Sequence, residues 1–412
     1  MVISNIPVEG VAEQGQTGWL VKYKKWVIAF VLFGMYASFG MSWMGVVPIL
    51  QDLQSAFHFD KAAGSWLISI VSLAKSMVPI LAGILAARWG LTKTLRLSSL
   101  LIVTGIALPF LPNFGLWIAL RFLFGVGGAI WVTLMGAVTM QVFEAKQRPL
   151  INALNGVAVT VGVVLALQLT LPLTQALGWK TTLALYSLLS AGFMCLLAAL
   201  GPLPGQQPSA DGPSLGESLK AYAGTLKLPV TWLISLSFSG PLALYLVLNY
   251  WLPVYYQEVL GIAKPETMQL MSWMNIGGIV GSVATGLLLQ KFGKTKGFIA
   301  AGAVLLPLAS ISAMLMTDKA LLTALLFLAG IGMFLSVSPL ITLLQSQSGM
   351  NPALVGMILG TMFSVTYIVS SIAPNLVGAA YSNHLSLQAV LIACCLTTAS
   401  PALALFLPEK AV

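Results

Sequence analysis

Residues 83–93 read GILAARWGLTK, and residues 286–296 read GLLLQKFGKTK. Both stretches run from an apolar segment into a short basic loop, and they match at two glycines and at the final Thr-Lys pair. A second pair, 120–127 (LRFLFGVG) and 325–332 (LLFLAGIG), repeats at nearly the same separation. Self-similarity over such a long period indicates a duplicated unit. The chain therefore consists of two related halves.

The composition around these repeats is strongly apolar. Of the 412 residues, 58% are hydrophobic and 8% are charged, whereas soluble proteins carry about 25% charged residues. A soluble chain of this length has too little interior to hide so much apolar surface. The composition excludes a soluble protein and predicts an all-α membrane protein. The net charge of +9 indicates orientation in a lipid bilayer rather than nucleic acid, because the basic residues lie in short clusters between apolar segments.

A helix takes about 20 apolar residues to cross a bilayer, and the sequence divides into twelve apolar segments of roughly this length. We predict spans at 26–50, 64–87, 97–112, 114–140, 150–173, 181–203, 229–257, 266–290, 297–316, 319–344, 352–380 and 386–407. One link between spans is longer than the others. The domain prediction is therefore a tail (1–25), a six-helix bundle (26–203), a linker (204–228), a second six-helix bundle (229–407) and a short tail (408–412).

The end of the linker has the pattern of a short helix. Ser214 and Glu217 have the spacing of a capping box, and apolar residues recur after them at helical spacing: Leu215, Leu219, Tyr222 and Leu226. We expect an amphipathic helix at the membrane surface. A disordered linker is the alternative.

Lys and Arg are distributed unequally between the two sides of the membrane. Fourteen lie on one side, four on the other and two within spans. Because basic residues concentrate on the cytoplasmic side, we predict a multi-pass protein of the cell membrane, of the bacterial inner-membrane type, with both termini in the cytoplasm. The first twenty residues hold no apolar signal-peptide region. The three cysteines have no metal-ligand spacing, so we predict no metal and no cofactor.

The loop between spans two and three resembles the signature G-x-L-a-D-R-x-G-R-[KR] of the major facilitator superfamily. Its matching residues are Gly83, Leu85, Arg88, Gly90 and Lys93, and the second copy retains Gly286, Gly293 and Lys296. Ala87 and Gln290 stand where the family has an acidic residue. This departure concerns the family's charge-paired cytoplasmic gate rather than its fold.

Span four also resembles this family, whose signature there is R-x-x-x-G-x-G. The matching residues are Arg121, Gly125 and Gly127. The resemblance covers essentially the whole chain. It implies two pseudo-symmetric six-helix bundles around a central cavity, a site near mid-membrane and alternating access by rocking, with the matching glycines and basic residues in gating motifs.

Two charged residues fall inside predicted spans, Lys75 and Arg121. A charge at bilayer depth is costly and marks a functional candidate. Lys75 lies about 18 Å along the helix from Arg88, near the midplane, and borders a stripe of serines. It is interpreted as a cation that attracts an anionic substrate. The alternatives are a lysine that carbonyls or hydroxyls satisfy, or one that snorkels along its own stem.

Arg121 has two interpretations of equal weight. Its guanidinium suits bidentate contact with a substrate carboxylate, but a packing or gating role fits an arginine that the family has whatever the substrate. Aromatic and polar side chains elsewhere in the spans are further candidates for the substrate site: Tyr36, Trp43, Trp131, Tyr245, Asn249, Trp273, Asn275 and Tyr367. Each alone is also explained by packing or by an interfacial belt.

Together these features predict a monomeric secondary transporter of a small anionic solute, with a carboxylate as the first expectation. Residues 249–256 (NYWLPVYY) are similar to span-seven ends of cyanate-type and organic-anion permeases. Proton coupling stays open, because no Asp or Glu lies deep in a predicted span to form a carboxylate relay. An exporter of amphipathic compounds is the first alternative and a non-transporting sensor the second. An enzyme is disfavoured, since no convergent catalytic constellation is visible.

Overall fold

The computed structural model describes residues 18–144, 147–203, 215–292, 294–350 and 352–408. These residues form helices joined by short turns. The helices are α1 (Gly18–Met44), α2 (Leu50–Phe57), α3 (Lys61–Gly64), α4 (Trp66–Trp89), α5 (Leu91–Val103), α6 (Phe114–Val142), α7 (Arg148–Ala199), α8 (Leu215–Thr225), α9 (Pro229–Glu258), α10 (Lys264–Phe292), α11 (Thr295–Leu315), α12 (Lys319–Leu335), α13 (Val337–Gln345), α14 (Pro352–Ser382) and α15 (Leu387–Leu396). Two 3-10 segments, Thr104–Phe110 and Thr397–Phe406, extend α5 and α15.

Ten segments of the described chain are long and apolar enough to cross a membrane. One of them, within α7, breaks at Gly178, whose φ of 78° ends one helix and begins the next. α4, with 24 residues, occupies the predicted second span. Each of the twelve predicted spans therefore corresponds to a helical segment, and the predicted all-α membrane fold is confirmed.

Two span boundaries differ from the prediction. α1 ends at Met44 and a turn leads into α2, so the predicted first span runs past the end of its helix. α5 begins at Leu91 rather than at residue 97 because Gly90, with a φ of 80°, both ends α4 and starts α5. Left-handed backbone of this kind is readily available to glycine. Lys93 and Arg96, which the sequence places in a loop, therefore lie exposed at the start of a helix.

The two halves repeat the same close helix contacts. A Cβ added at Gly125 would lie 3.0 Å from the Val71 backbone of α4, and Gly330, at the equivalent position of the second half, lies against Met274 of α10. A second pair of equivalent glycines repeats the pattern at the third span of each half, Gly127 against Ile102 and Gly332 against Leu306. Glycine lets helix backbones approach closely in a membrane. The sequence repeat is therefore a repeat of helix packing.

The halves meet mainly through two helix pairs, α4 with α14 and α7 with α10. The repeat relates α4 to α10 and the first part of α7 to α14, so the two pairs are equivalent. We call the face on which α4 and α10 end, at Trp89 and Phe292, the basic face. The face that carries Lys61 and Glu258 is called the opposite face.

The linker helix α8 contacts both α4 and α14. Thr225 is buried and Tyr222 half-buried, whereas Leu219 and Leu226 are exposed. α8 therefore lies across the junction of the two halves on the basic face, and part of the apolar stripe formed by Leu219, Tyr222 and Leu226 stays exposed. Ser214, the expected cap of this helix, lies outside the described residues.

Candidate functional site

Lys75 lies in the middle of α4 with only 2% of its surface exposed. Its Nζ donates a hydrogen bond to the hydroxyl of Tyr36 at 3.3 Å, and it forms no ion pair within the described parts of the chain. Four aromatic rings surround it, at distances from Nζ to the ring centre of 4.3 Å for Trp43, 4.9 Å for Phe39 and 5.5 Å for both Tyr36 and Tyr367. We call these four rings the aromatic cage.

Three of the four rings come from one face of α1. Tyr36, Phe39 and Trp43 are spaced i, i+3 and i+7, which places them above one another on a helix. Phe39 stacks on Tyr36 with ring centres 5.6 Å apart. Its ring also lies directly over Gly128 of α6, where a Cβ would overlap it. The fourth ring, Tyr367, belongs to α14, so the cage closes across the boundary between the two halves.

The cage stabilises the buried ammonium but carries no opposite charge. A desolvated cation–π contact within about 6 Å of the ring centre is worth about 2 kcal/mol or more. The effective penalty for a buried ion is several kcal/mol, and two of the four rings lie at 5.5 Å from Nζ. Lys75 is therefore held in place but not neutralised. An anion beside it would supply the missing charge.

A cavity of about 290 Å³ opens beside Lys75. Its lining residues come from both halves and from the linker helix: Lys75, Ala129, Val132, Thr133, Tyr222, Gly356, Leu359, Gly360, Phe363 and Tyr367. Gly356 lies near the start of α14 on the basic face. Tyr367 lies eleven residues further along, which is about 17 Å at the rise of an α-helix. The cavity therefore reaches from the basic face to the depth of Lys75, the one charged residue among its described lining.

The opposite face is closed by contacts between the two halves. The Ser65 hydroxyl donates to the Asn375 side-chain oxygen at 2.7 Å, and the Tyr250 hydroxyl donates to the Lys61 carbonyl at 2.7 Å. The Lys61 ammonium forms an ion pair with Glu258. Partial burial lowers the pKa of Lys61, and Glu258 provides the opposite charge there. In this conformation the cavity is accessible from the basic face.

Arg121 is fully buried but lies apart from the cavity. Its guanidinium donates to the carbonyl oxygens of Leu67, Ser42 and Trp43, the last at 2.7 Å. These carbonyls lie at the end of α1 and the start of α4, and Arg121 belongs to α6. The contacts support the packing interpretation, because backbone carbonyls occupy the donors that a substrate carboxylate would need.

The remaining residues predicted for the substrate site do not all lie together. Tyr245, Asn249 and Asn275 form a buried network in which the Tyr245 hydroxyl and the Asn249 side chain each bond Asn275 at 3.0 Å. Trp131 is buried and donates its indole N–H to the Leu32 carbonyl. Trp273 is 39% exposed and does not line the cavity with Lys75 in the described structure. Of these aromatic and polar candidates, the described structure brings only Tyr36, Trp43 and Tyr367 to Lys75.

Several residues of the predicted gating motifs lie around the basic face. Arg88 and Lys93 are exposed, and a Cβ at Gly83 or Gly286 would meet open space. Lys296 donates to the Leu405 carbonyl at 2.9 Å, which ties the start of α11 to the end of the last span. Gly293 lies outside the described residues. Gly125 and Gly127 are packing contacts, as described above.

Phe39, Gly128 and Tyr222 belong to this region although the sequence did not single them out as site residues. Phe39 carries a signal in hindsight, because it completes an aromatic stripe with Tyr36 and Trp43 at helical spacing. No sequence pattern points to Tyr222, because its contact with α14 forms only when the linker helix packs against the two assembled halves.

Comparisons with known proteins agree with this architecture. The family model described as Major Facilitator Superfamily matches residues 32–409. A 2-nitroimidazole transporter of Escherichia coli K12 is 25% identical over 344 residues, which cover 82% of this chain and 84% of that protein. Among solved structures, a nucleoside transporter superposes with a TM-score of 0.72 at 14% identity, covering 93% of this chain and 98% of that chain. A D-xylose-proton symporter superposes with a TM-score of 0.70 at 15% identity, covering 94% and 98%.

These structures share the fold, and the family match extends over nearly every span described above. Two related six-helix halves, a central cavity between them and a closed face on one side are what transport by alternating access requires. The chain belongs to the Major Facilitator Superfamily of membrane transporters.

Proposed function

We propose that this transporter carries a small anionic solute, with a carboxylate as the first choice, and that Lys75 is the group that binds the anion. The observation that carries the proposal is the state of Lys75. It is a buried cation without an acidic partner in the described chain, and it faces a cavity of about 290 Å³ that holds no other charged lining residue.

The proposed cycle uses the two faces of the molecule in turn. The solute pairs with Lys75 while one face is open and leaves by the other face after that face opens. Opening of the opposite face requires the contacts around Lys61 and Glu258 to break. We place the basic face in the cytoplasm, because the predicted spans assign 14 of the 20 basic residues to that side and such residues concentrate there in membrane proteins. The gating roles of Arg88, Gly90, Lys93 and Lys296 belong to this proposal.

A proton is a proposed partner in transport rather than an established one. None of the described residues that line the cavity is acidic, so a carboxylate relay is not available within it. A proton would therefore travel with the solute or be exchanged at Lys75. The proposal takes the protein as a monomer in the cell membrane.

A second candidate solute is a planar, ring-bearing compound. Tyr222, Phe363 and Tyr367 place aromatic rings in the lining of the cavity, and the E. coli relative is a 2-nitroimidazole transporter. A flat heterocycle can stack on aromatic side chains, and a nitro group can accept a hydrogen bond from Lys75. This candidate agrees with export of amphipathic compounds, the first alternative from the sequence.

The test is a thermal-shift screen of the purified protein against acetate, lactate, benzoate, 2-nitroimidazole and tetraethylammonium. A ligand at about 100 times its Kd stabilises the folded protein by about 2.7 kcal/mol. We expect carboxylates to raise Tm in the native protein and to lose this effect in Lys75→Gln. Lys180→Gln is the matched control, because Lys180 is an exposed lysine outside the cavity. Stabilisation by 2-nitroimidazole alone, unchanged in Lys75→Gln, would contradict the first candidate and favour the second.

A further inference from the structure

Tyr222 is the one residue of the described cavity lining that belongs to neither six-helix bundle. It lies on α8, in the link between the halves, and its ring reaches α14. A Cβ added at Gly360 would lie 2.8 Å from Cε1 and 3.2 Å from the hydroxyl oxygen of Tyr222. Glycine at position 360 is therefore what makes room for the ring.

A hydrogen bond holds α8 in this place. The hydroxyls of Thr225 and Thr361 are 2.7 Å apart and both residues are buried. Thr225 follows Tyr222 by three residues, so the two side chains lie on the same face of α8. Thr361 follows Gly360 directly. One turn of the linker helix is thus fixed to one turn of α14 by a ring contact and a hydrogen bond.

Tyr222 lies at the mouth of the cavity beside Lys75 rather than in a fully buried core. Its side chain is half-buried, and this partial burial raises the pKa of its phenol. Leu219, three residues before Tyr222, is 47% exposed, and Leu226, directly after the end of α8, is 42% exposed. α8 therefore borders the cavity at Tyr222 while apolar residues next to Tyr222 stay exposed, and it is not simply a connecting segment.

The position of α8 also couples it to the rocking of the halves. α8 touches α4 of the first half and α14 of the second, the two helices that carry Lys75 and Tyr367. Closing the basic face changes the distance between these helices. A helix that contacts both must shift when they move, and the Tyr222 ring must shift with it.

We infer that α8 is a gate at the basic-face mouth of the transport cavity and that Tyr222 is its gating residue. The ring narrows the passage to Lys75, and solute passes after the contacts of Tyr222 with Gly360 and of Thr225 with Thr361 loosen. Tyr222 narrows this passage for any solute that uses it, whatever the charge of that solute.

The test measures access to the cavity without a substrate. In the full-length chain, Cys195, Cys394 and Cys395 are replaced by Ser, and Ala129→Cys is introduced as a reporter, since Ala129 lines the cavity and is 1% exposed. The rate at which a charged, water-soluble methanethiosulfonate labels this cysteine is compared between variants in detergent. Tyr222→Ala removes the ring that narrows the passage and should raise the labelling rate about 10-fold. Tyr222→Phe keeps the ring and should leave the labelling rate unchanged.

Two further variants keep the outcome decisive. Leu219→Ala changes an exposed residue of the same helix that does not line the cavity in the described structure, and it should label at the native rate. Thr225→Val keeps the shape of the side chain and removes the hydrogen bond to Thr361 together with the local one to the Tyr222 carbonyl. The loss of the bond to α14 should raise the rate about 2- to 10-fold. If Tyr222→Ala and Thr225→Val both label as slowly as Leu219→Ala, α8 does not restrict the cavity and the inference is overturned.

Discussion

The ammonium nitrogen of Lys75 lies 4.3 Å from the centre of the Trp43 indole ring. Trp43 holds this position because its own N–H donates to the Ile68 carbonyl of α4 at 3.2 Å, so the ring and the lysine are tied to the same helix. The charge is thus stabilised by the faces of rings rather than by a carboxylate. Such a cation is localised and still able to attract an anion.

Tyr367 provides a way to test the part of the cage that comes from the second half. Tyr367→Leu removes that ring, while Tyr367→Phe keeps it and removes only the hydroxyl. We expect Leu to weaken the affinity of the ligand found by thermal shift about 2- to 10-fold, the range of one partly desolvated cation–π contact. Phe should stay within about 2-fold. Equal effects of Phe and Leu, measured as Kd by titration calorimetry, would assign the role to the hydroxyl instead.

Gly128 tests whether the position of Phe39 matters. A Cβ at Gly128 would overlap the Phe39 ring, so Gly128→Ala should push the ring out of the cage. Overpacking of this kind typically costs about 1–3 kcal/mol, and we expect a lower Tm together with weaker ligand binding.

The control for this variant is Gly136→Ala on the same helix. Gly136 has no neighbour within 4 Å of an added Cβ, and alanine is the better helix former by about 1 kcal/mol. We expect an unchanged or higher Tm. If Gly128→Ala behaves like Gly136→Ala in both Tm and Kd, Phe39 does not depend on the glycine.

Arg121 is expected to act on stability rather than on binding. Arg121→Leu leaves the carbonyls of Leu67, Ser42 and Trp43 without their donor, and Arg121→Lys supplies one compact ammonium in place of the planar fork. Hydrogen bonds to charged groups contribute about 1.5–3 kcal/mol each. We expect a large loss of Tm in Arg121→Leu and a smaller one in Arg121→Lys, with ligand Kd unchanged in the fraction that folds. A normal Tm combined with lost binding would restore the substrate-contact interpretation.

The fold was predictable from the sequence to a large extent because membrane insertion depends on local composition. An apolar stretch of about 20 residues must form a helix to satisfy its backbone in lipid, and the repeat then pairs the helices of the two halves. Lys75 was identifiable for the same reason, since a charged residue within an apolar span is costly at bilayer depth and therefore stands out in the sequence.

The contacts of the site were less predictable because they depend on how helices distant in sequence meet. Arg121 looked as suitable for a carboxylate as Lys75 did, and only the arrangement of α1 and α4 shows that carbonyls fill its donors. Phe39 is one apolar residue among many until α6 places Gly128 beneath it. The partner of Tyr222 lies in α14, more than a hundred residues away, and no local pattern indicates it.

The Lys61–Glu258 ion pair is expected to bias the transporter toward the state closed on the opposite face. Lys61 belongs to the first half and Glu258 to the second, and both side chains are about a third exposed. A pair with this exposure is worth about 0.2–1 kcal/mol, so Lys61→Gln or Glu258→Gln should raise the population of the open state up to about 5-fold.

Ser69→Cys, in a chain without its native cysteines, reports the opening. Ser69 is buried on α4 and its hydroxyl has no partner among the described residues, so the replacement breaks no hydrogen bond. Each single variant should speed labelling of this cysteine, and the charge-swapped pair Lys61→Glu with Glu258→Lys should return it toward the native rate. If the labelling rate of the charge-swapped double variant instead shows the sum of the two single increases, the two charges act independently and do not hold the halves together.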